Sequence, residues 1–184
     1  MVATPSLDSS MFGGTIIYVC AHNADGCMGF IVNKAHKITL SELMSRVGDN
    51  EDAPPIHEAV NYAGHAAVRV GGPVDENRGF ILHSSEYELD ATIPITPDIS
   101  LTSTREALLD LAQLRGPRQA VVSLGYASWG ANQLESEISK NYWLTLDACT
   151  KLIFDDQLDN KYDTALGLIG IHSRASYVSE PGHA

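Results

Sequence analysis

Gly125-Tyr126-Ala127-Ser128-Trp129-Gly130-Ala131-Asn132-Gln133-Leu134-Glu135-Ser136-Glu137 sets a strand end, a glycine-flanked aromatic turn and an acidic helix start side by side. Just before it, Gln119 to Leu124 is an apolar, valine-rich run of the kind that forms a strand buried on both faces. Just after the turn, Asn132 with Glu135 reads as a helix N-terminus, and Leu134 and Ile138, four apart, can share a core-facing stripe. The stretch marks a passage from buried strand to amphipathic helix.

Toward the N-terminus, Ser103 and Glu106 form an S-x-x-E capping box that opens a helix through Leu108, Leu109, Ala112 and Leu114, ending at Gly116-Pro117. Ile93 to Ile95 predicts a short strand that Pro94 confines to an edge. Ala67 to Val70 and Gly79 to His83 predict two strands bracketing Gly71-Gly72-Pro73-Val74, where paired glycines permit a tight turn. Residues 48 to 59 are acidic, carry Pro54-Pro55 and read as an exposed loop. Thr39 with Glu42 caps a helix through Leu40, Leu43, Met44 and Val47 that stops before Gly48. Gly14 to Ala21 and Met28 to Val32 predict a hairpin, with His22 to Gly26 as its loop and Asp25-Gly26 supplying the turn chemistry. Beyond the central stretch, Trp143 to Leu146 returns to the core, Leu152-Ile153-Phe154 follows, and a last helix lies near Tyr162 to Leu168. Irregular alternation after an early hairpin points to one α+β domain over residues 1–184, a largely antiparallel mixed sheet packed with about four helices.

Twelve Lys+Arg against 23 Asp+Glu give a formal net charge of −11, and the cations fall singly along the chain. Such a field repels a phosphate backbone, so direct nucleic-acid binding is disfavoured. No apolar run approaches the roughly 18 residues of a membrane span, and the first residues lack the layout of a secretion signal, so a cytoplasmic protein with no membrane partner is expected. Cys20, Cys27 and Cys149 fit neither a zinc motif nor a dense disulfide framework and read as reduced, mostly buried thiols. A Cys20–Cys27 bridge across the hairpin is the less favoured alternative.

With these elements in place, the chain resembles the AlgH/YqgE family of bacterial proteins. The resemblance is carried by Ile17-Tyr18-Val19-Cys20, His22-Asn23, Gly26-Cys27-Met28-Gly29 and Asn33-Lys34, then by Gly71-Gly72-Pro73-Val74 with Arg78-Gly79-Phe80 and Leu82-His83. Gly125-Tyr126, Trp129-Gly130, Gln133-Leu134 and Glu135 through Glu137 continue it, and Trp143, Leu152-Ile153-Phe154-Asp155 and Gly182-His183-Ala184 complete it. It implies a family of unknown biochemical activity that bears the label of a transcriptional regulator, and it brings no established catalytic residues.

The candidate chemistry is sparse. Ser128 lies between a buried strand and a helix, but a hydrolase elbow needs Gly-x-Ser-x-Gly, and Tyr126 stands where the first glycine belongs. His22 and His83 sit at predicted strand ends, where an imidazole could act as a base beside Glu135 or Glu137. A structural role is the favoured reading of both. Tyr126 and Trp129 could stack on a ligand, with Gln133 beside them, although aromatics at such a turn more often pack in the core. Gly71 and Gly72 could cradle a phosphate with backbone amides, but Pro73 removes one donor and no Gly-x-x-x-x-Gly-Lys pattern is present. The helix start at Asn132 could hold an anion, but Glu135 is expected to fill that place itself and Glu137 adds like charge. Neither metal spacing nor a cofactor motif appears, so no metal and no cofactor are expected. The leading expectation is a protein that acts through a protein partner or small ligand rather than by binding DNA. The alternative is a hydrolytic or redox enzyme whose pocket gathers His22, His83, Trp129 and Glu135, and spatial convergence of those four side chains separates the two.

Overall fold

The computed structural model describes residues 1–47 and 68–171. In chain order the elements are β1 (Val2–Ala3), β2 (Ile17–Asn23), β3 (Gly26–Ile31), α1 (Leu40–Val47), β4 (Arg69–Val70), β5 (Val74–Ser84), β6 (Ile93–Pro94) and β7 (Ile99–Thr102). They continue with α2 (Arg105–Ala112), β8 (Ala120–Gly130), α3 (Gln133–Ser139), β9 (Trp143–Leu144), α4 (Thr150–Phe154) and α5 (Lys161–Leu168). Seven strands form a sheet in the order β2-β3-β8-β5-β7-β6, with β4 pairing β8 off that path. Its pairs are antiparallel except β4 on β8, while β1 and β9 form a two-stranded ribbon. The α+β expectation holds, with five helices among the described residues rather than about four. The expected loop at 48 to 59, the first residue of the strand expected from Ala67, and Gly182-His183-Ala184 lie outside the described residues.

The main correction concerns the opening stretch itself. Gly125 to Gly130 is not a turn but the second half of β8, which runs eleven residues from Ala120 to Gly130. Past Tyr126 the pattern alternates with period two: Ala127 and Trp129 are buried, Ser128 and Gly130 exposed. Gly125, at φ +70°, serves a close approach inside the sheet. A Cβ there would lie 2.5 Å from the Gly72 carbonyl oxygen and 2.9 Å from that of Val74. Ser128 is therefore mid-strand, opposite Met28, and has no elbow geometry.

The hairpin forms, but longer than expected. His22 pairs with Cys27 and Asn23 with Gly26, which reduces the loop to Ala24-Asp25. The Asn23 side-chain oxygen accepts from the amides of Asp25 (2.9 Å) and Gly26 (3.2 Å), an Asx turn that lets the strands run to the tip. The Thr39–Glu42 capping box is also observed: Thr39 N–H donates to Glu42 Oε2 at 2.8 Å, and Glu42 N–H to Thr39 Oγ1 at 3.2 Å.

Two other helix boundaries shift. The α2 cap is Thr104, whose Oγ1 accepts from Ala107 N–H, and not Ser103. That helix ends at Ala112, where Leu114 turns into the left-handed region at φ +57° before Gly116 is reached. Asn132 makes no side-chain cap bond and itself sits at φ +58°, and Gln133 Oε1 takes the nearby Gly130 amide instead. The short strand β7, buried throughout, and the ribbon β1–β9 were not foreseen.

β8 is the central strand, buried on both faces as its valine run predicts. Val121 joins Tyr18, Phe30, Phe80 and Leu82 in a core closed by α4 and α5. Val122 and Leu124 join Ile81 in a second core closed by Leu40 and Met44 of α1 and Leu108 of α2. At the far end, Ala127 and Trp129 meet Ile17, Ile31, Leu134 and Trp143. The three cysteines are free, and Cys27 faces His22 rather than Cys20 across the hairpin. Burial pushes the Cys20 and Cys27 thiols up to about 12 and about 11, which keeps both protonated at neutral pH.

Candidate functional site

The long hairpin carries His22 over the start of α3, where its Nε2 lies 2.6 Å from Glu135 Oε1. Both side chains are about half exposed (49% and 51%), so solvent screens the pair and its contribution to stability is small. Hydrogen bonding to its own amide, and then to His22, holds the Glu135 carboxyl below its usual range. The sequence thus brings two of its candidates together, at the protein surface.

Two residues further along α3, and so on the other side of the helix, Glu137 points inward. Its Oε2 accepts from both indoles, Trp129 Nε1 at 2.9 Å and Trp143 Nε1 at 2.8 Å, while Oε1 accepts from Gln133 Nε2 at 2.9 Å. Partial burial pushes this carboxyl up, but the bonds from Trp143, Gln133 and Trp129 outweigh it and leave Glu137 below its usual range. The two indoles meet edge to face at 5.8 Å, and Phe12 packs on both. Trp129 and Gln133 therefore work as parts of the core and its polar lock, with Trp129 only 4% exposed. Tyr126 is half-buried, its ring edge to face with Phe80 at 5.7 Å.

His83 is sealed elsewhere, 0% exposed on β5. Its Nδ1 is 3.0 Å from the Ser84 carbonyl oxygen, which can only accept, so Nδ1 carries the proton and Nε2 accepts from Thr102 Oγ1 at 2.8 Å. Thr92 Oγ1 lies 2.8 Å from that hydroxyl and accepts the Leu89 amide, which closes the chain. Burial lowers the His83 pKa, in keeping with the neutral tautomer this network requires. Gly71 and Gly72 are filled by backbone: a Cβ on Gly71 would lie 2.1 Å from the Gly125 carbonyl oxygen, and one on Gly72 2.2 Å from the Tyr126 carbonyl carbon. The Gly71 amide donates to the Leu124 carbonyl on β8 at 2.8 Å, and β8 backbone occupies the space beside both glycines.

Sequence reasoning missed a pair of buried cations. Arg69 and Lys161 are each 1% exposed and share two acceptors. Arg69 Nη1 donates to the carbonyls of Val32 (2.6 Å) and Ile153 (2.8 Å), and Lys161 Nζ to the same two at 3.1 and 3.0 Å. Arg69 Nη2 adds the Asp155 carbonyl at 2.9 Å and the exposed Asp156 carboxylate at 3.4 Å. Burial, and then the neighbouring Arg69, lower the Lys161 ammonium to about 7. The available signal was Arg69 itself, one cation inside the apolar strand run Val68-Arg69-Val70; nothing local marked Lys161.

Among the described residues, an open hollow of about 570 Å³ lies between the 145–149 segment and Leu168-Ile169, and two smaller cavities flank the sheet. One of about 180 Å³ lies against β2 and α4, lined by Tyr18, Val32, Leu146, Cys149 and Leu152 among others. The other, of about 210 Å³, lies between α1, α2 and the β5–β8 face. None of His22, His83, Glu135, Gly71, Gly72, Tyr126, Trp129 or Gln133 lines either one. Among the described residues no three His, Cys, Asp or Glu side chains cluster as metal ligands, and no helix is long and apolar enough to cross a membrane.

Comparison with known proteins agrees with this architecture. A family model described as AlgH-like matches residues 1–174. A UPF0301 protein of Agrobacterium fabrum is 41% identical, the match covering 100% of this chain and 90% of that one, and one of Allorhizobium ampelinum is 42% identical with the same coverage. The solution structure of the AlgH protein from Pseudomonas aeruginosa superposes with a TM-score of 0.78 at 30% identity, covering 100% of this chain and 93% of that one. A crystal structure from Corynebacterium diphtheriae, at 14% identity and a TM-score of 0.66, covers 90% of this chain and 82% of that one and shares the fold.

Proposed function

The chain belongs to the AlgH-like family, and from that premise we propose that it is a cytoplasmic regulatory or adaptor protein acting through a protein partner or small-ligand contacts, without binding DNA itself. The observation that supports this reading is the separation of its titratable candidates. His22 and Glu135 meet at the surface, His83 is sealed inside β5, and Trp129 is locked behind Glu137, so among the described residues these candidates do not gather an acid and a base in one pocket. Charge supports the clause about DNA: at −11, the chain would have to gather its few cations on one face to hold a phosphate backbone, and Arg69 and Lys161 are spent in the core.

Native mass spectrometry of freshly purified protein tests the ligand clause: a stoichiometric adduct lost on denaturation is the expected result. Anisotropy of a labelled DNA duplex at about 20 mM salt tests the other. Saturable binding that weakens steeply with added salt would overturn the reading.

A further inference from the structure

The hydroxyls around His83 all point their protons the same way. Its Nδ1–H donates to the Ser84 carbonyl at 3.0 Å, so Nε2 accepts from the Thr102 hydroxyl at 2.8 Å. The Thr102 proton is thereby committed, and the Thr92 hydroxyl, 2.8 Å away, must donate to Thr102 Oγ1. Thr92 Oγ1 in turn accepts from the Leu89 amide at 2.9 Å and keeps one lone pair. We propose that His83, Thr102 and Thr92 form a proton relay through which the sealed imidazole takes up a proton in mild acid without the sheet opening, which makes this end of the sheet acid-responsive.

The order of the three residues runs from the inside of the sheet toward solvent. His83 and Thr102 are sealed at 0% and 1% exposed, whereas Thr92 is only half-buried. His83 comes from β5, Thr102 from the end of β7, and Thr92 from a tight turn closed by its own amide on the Leu89 carbonyl. Uptake is a shift of three protons. An acid in solvent gives a proton to Thr92 Oγ1, the original Thr92 proton moves to Thr102 Oγ1, and the original Thr102 proton moves to His83 Nε2. Three bonds to hydrogen break, three form, and one positive charge arrives on the imidazole. Afterwards Nε2–H donates to Thr102, Thr102 to Thr92, and Thr92 outward to water, while Nδ1–H keeps Ser84. Every donor of the relay therefore has an acceptor in both states, which spares the protonated form the cost of an orphaned buried group.

The surroundings set where this happens. Burial holds the imidazole below its ordinary 6.5, against the Ser84 carbonyl and the Glu86 carboxylate, which both favour the proton. The Tyr87 ring meets His83 edge to face at 5.5 Å and donates its hydroxyl to Asp110 of α2, which also holds Arg115. β7 and β8 set the uncharged Ser100 and Ala120 opposite His83. As pH falls, the unfolded chain protonates this histidine before the folded one does. Stability contributed by the neutral imidazole is thus present above about 6.5, declines below it, and levels off once the folded His83 has taken its proton.

The experiment is a pH titration of the full chain labelled with ¹⁵N-histidine, following the His83 ring nitrogens by NMR from about pH 8 to about pH 4.5. At the upper end the proton is expected on Nδ1. A reversible titration should follow below the ordinary histidine value, with the dispersed spectrum of the folded chain retained. Thr92→Val removes the acceptor that the Thr102 proton needs once Nε2 is protonated, so it should lower the His83 midpoint by about one pH unit, about tenfold in proton affinity. Thr92→Ser restores the hydroxyl and should restore the midpoint. A hydroxyl with a structural role alone would cost stability in Thr92→Val and leave the midpoint where it was. The proposal is overturned by a proton on Nε2 at the upper end, by a native His83 that stays neutral until the chain unfolds, or by equal midpoints in the native and Thr92→Val proteins.

Discussion

Lys161→Met should make the protein more stable at low pH and less stable at high pH. In the native chain, Lys161 Nζ shares the Val32 and Ile153 carbonyls with Arg69, whose charge persists at any ordinary pH. The ammonium falls from its ordinary 10.5 to about 7, by burial first and by Arg69 second. Between those two values the unfolded chain binds a proton that the folded one has released, so stability rises with pH across the window. It is fully penalised below about 7, where the folded protein must hold two buried cations on one pair of carbonyls. The gap between 10.5 and about 7, at about 1.36 kcal/mol per pH unit, sets an upper bound of about 5 kcal/mol on the penalty. Methionine removes that term and gives up two hydrogen bonds whose acceptors Arg69 still serves, a loss of about 1–2 kcal/mol. The assay is urea denaturation of both proteins from pH 6 to pH 10, following midpoint and slope. Thiols and tyrosines that also titrate there are common to both and cancel in the difference. The two stability curves should cross, with their difference changing by about 3–5 kcal/mol over the range. Parallel curves would refute the reasoning, since Lys161 would then be equally charged in both states.

Glu137→Ala leaves two indole N–H groups without an acceptor and should cost about 2–4 kcal/mol, read from thermal melts, with a changed near-ultraviolet spectrum from Trp129 and Trp143. Because Glu137 is held below its usual range when folded, the native advantage over the alanine variant is present above the ordinary carboxylate pKa and fades as pH falls through the folded value. Gly72→Ala drives a methyl into the Tyr126–Ala127 backbone and should destabilise by about 3 kcal/mol or more. Gly79→Ala, where a Cβ meets nothing within 4 Å, should change stability by less than about 1 kcal/mol in the same denaturant titration.

The difference between those two glycines shows where sequence reasoning ends. Local chemistry was sufficient for the hairpin and for α1, because an Asx turn and a capping box each lie within four residues. It misplaced the second half of β8 because the requirement for Gly125 comes from Gly72 and Val74, more than fifty residues earlier in the chain. Glycines flanking aromatics look like a turn until the strand that presses on them is known. The α2 cap failed more narrowly: Ser103 and Thr104 are adjacent hydroxyls, and the one in use follows from β7 ending at Thr102, a pairing invisible in the local pattern. At the candidate site, His22 and Glu135 were legible as a strand end and a helix start, and they do meet. Glu137 was read as a charge that would repel an anion, yet it turns inward to accept from two tryptophans that the sequence places eight residues before it and six after.

The buried cations also change what a partner meets. A formal −11 counts all twelve basic residues as if each faced water, but Arg69 and Lys161 are sealed, leaving at most ten to offset the carboxylates at the surface. Above the Lys161 value of about 7 the true charge is more negative still. The surface field is thus more acidic than composition states, which strengthens the barrier to a phosphate backbone and favours a partner with a basic face.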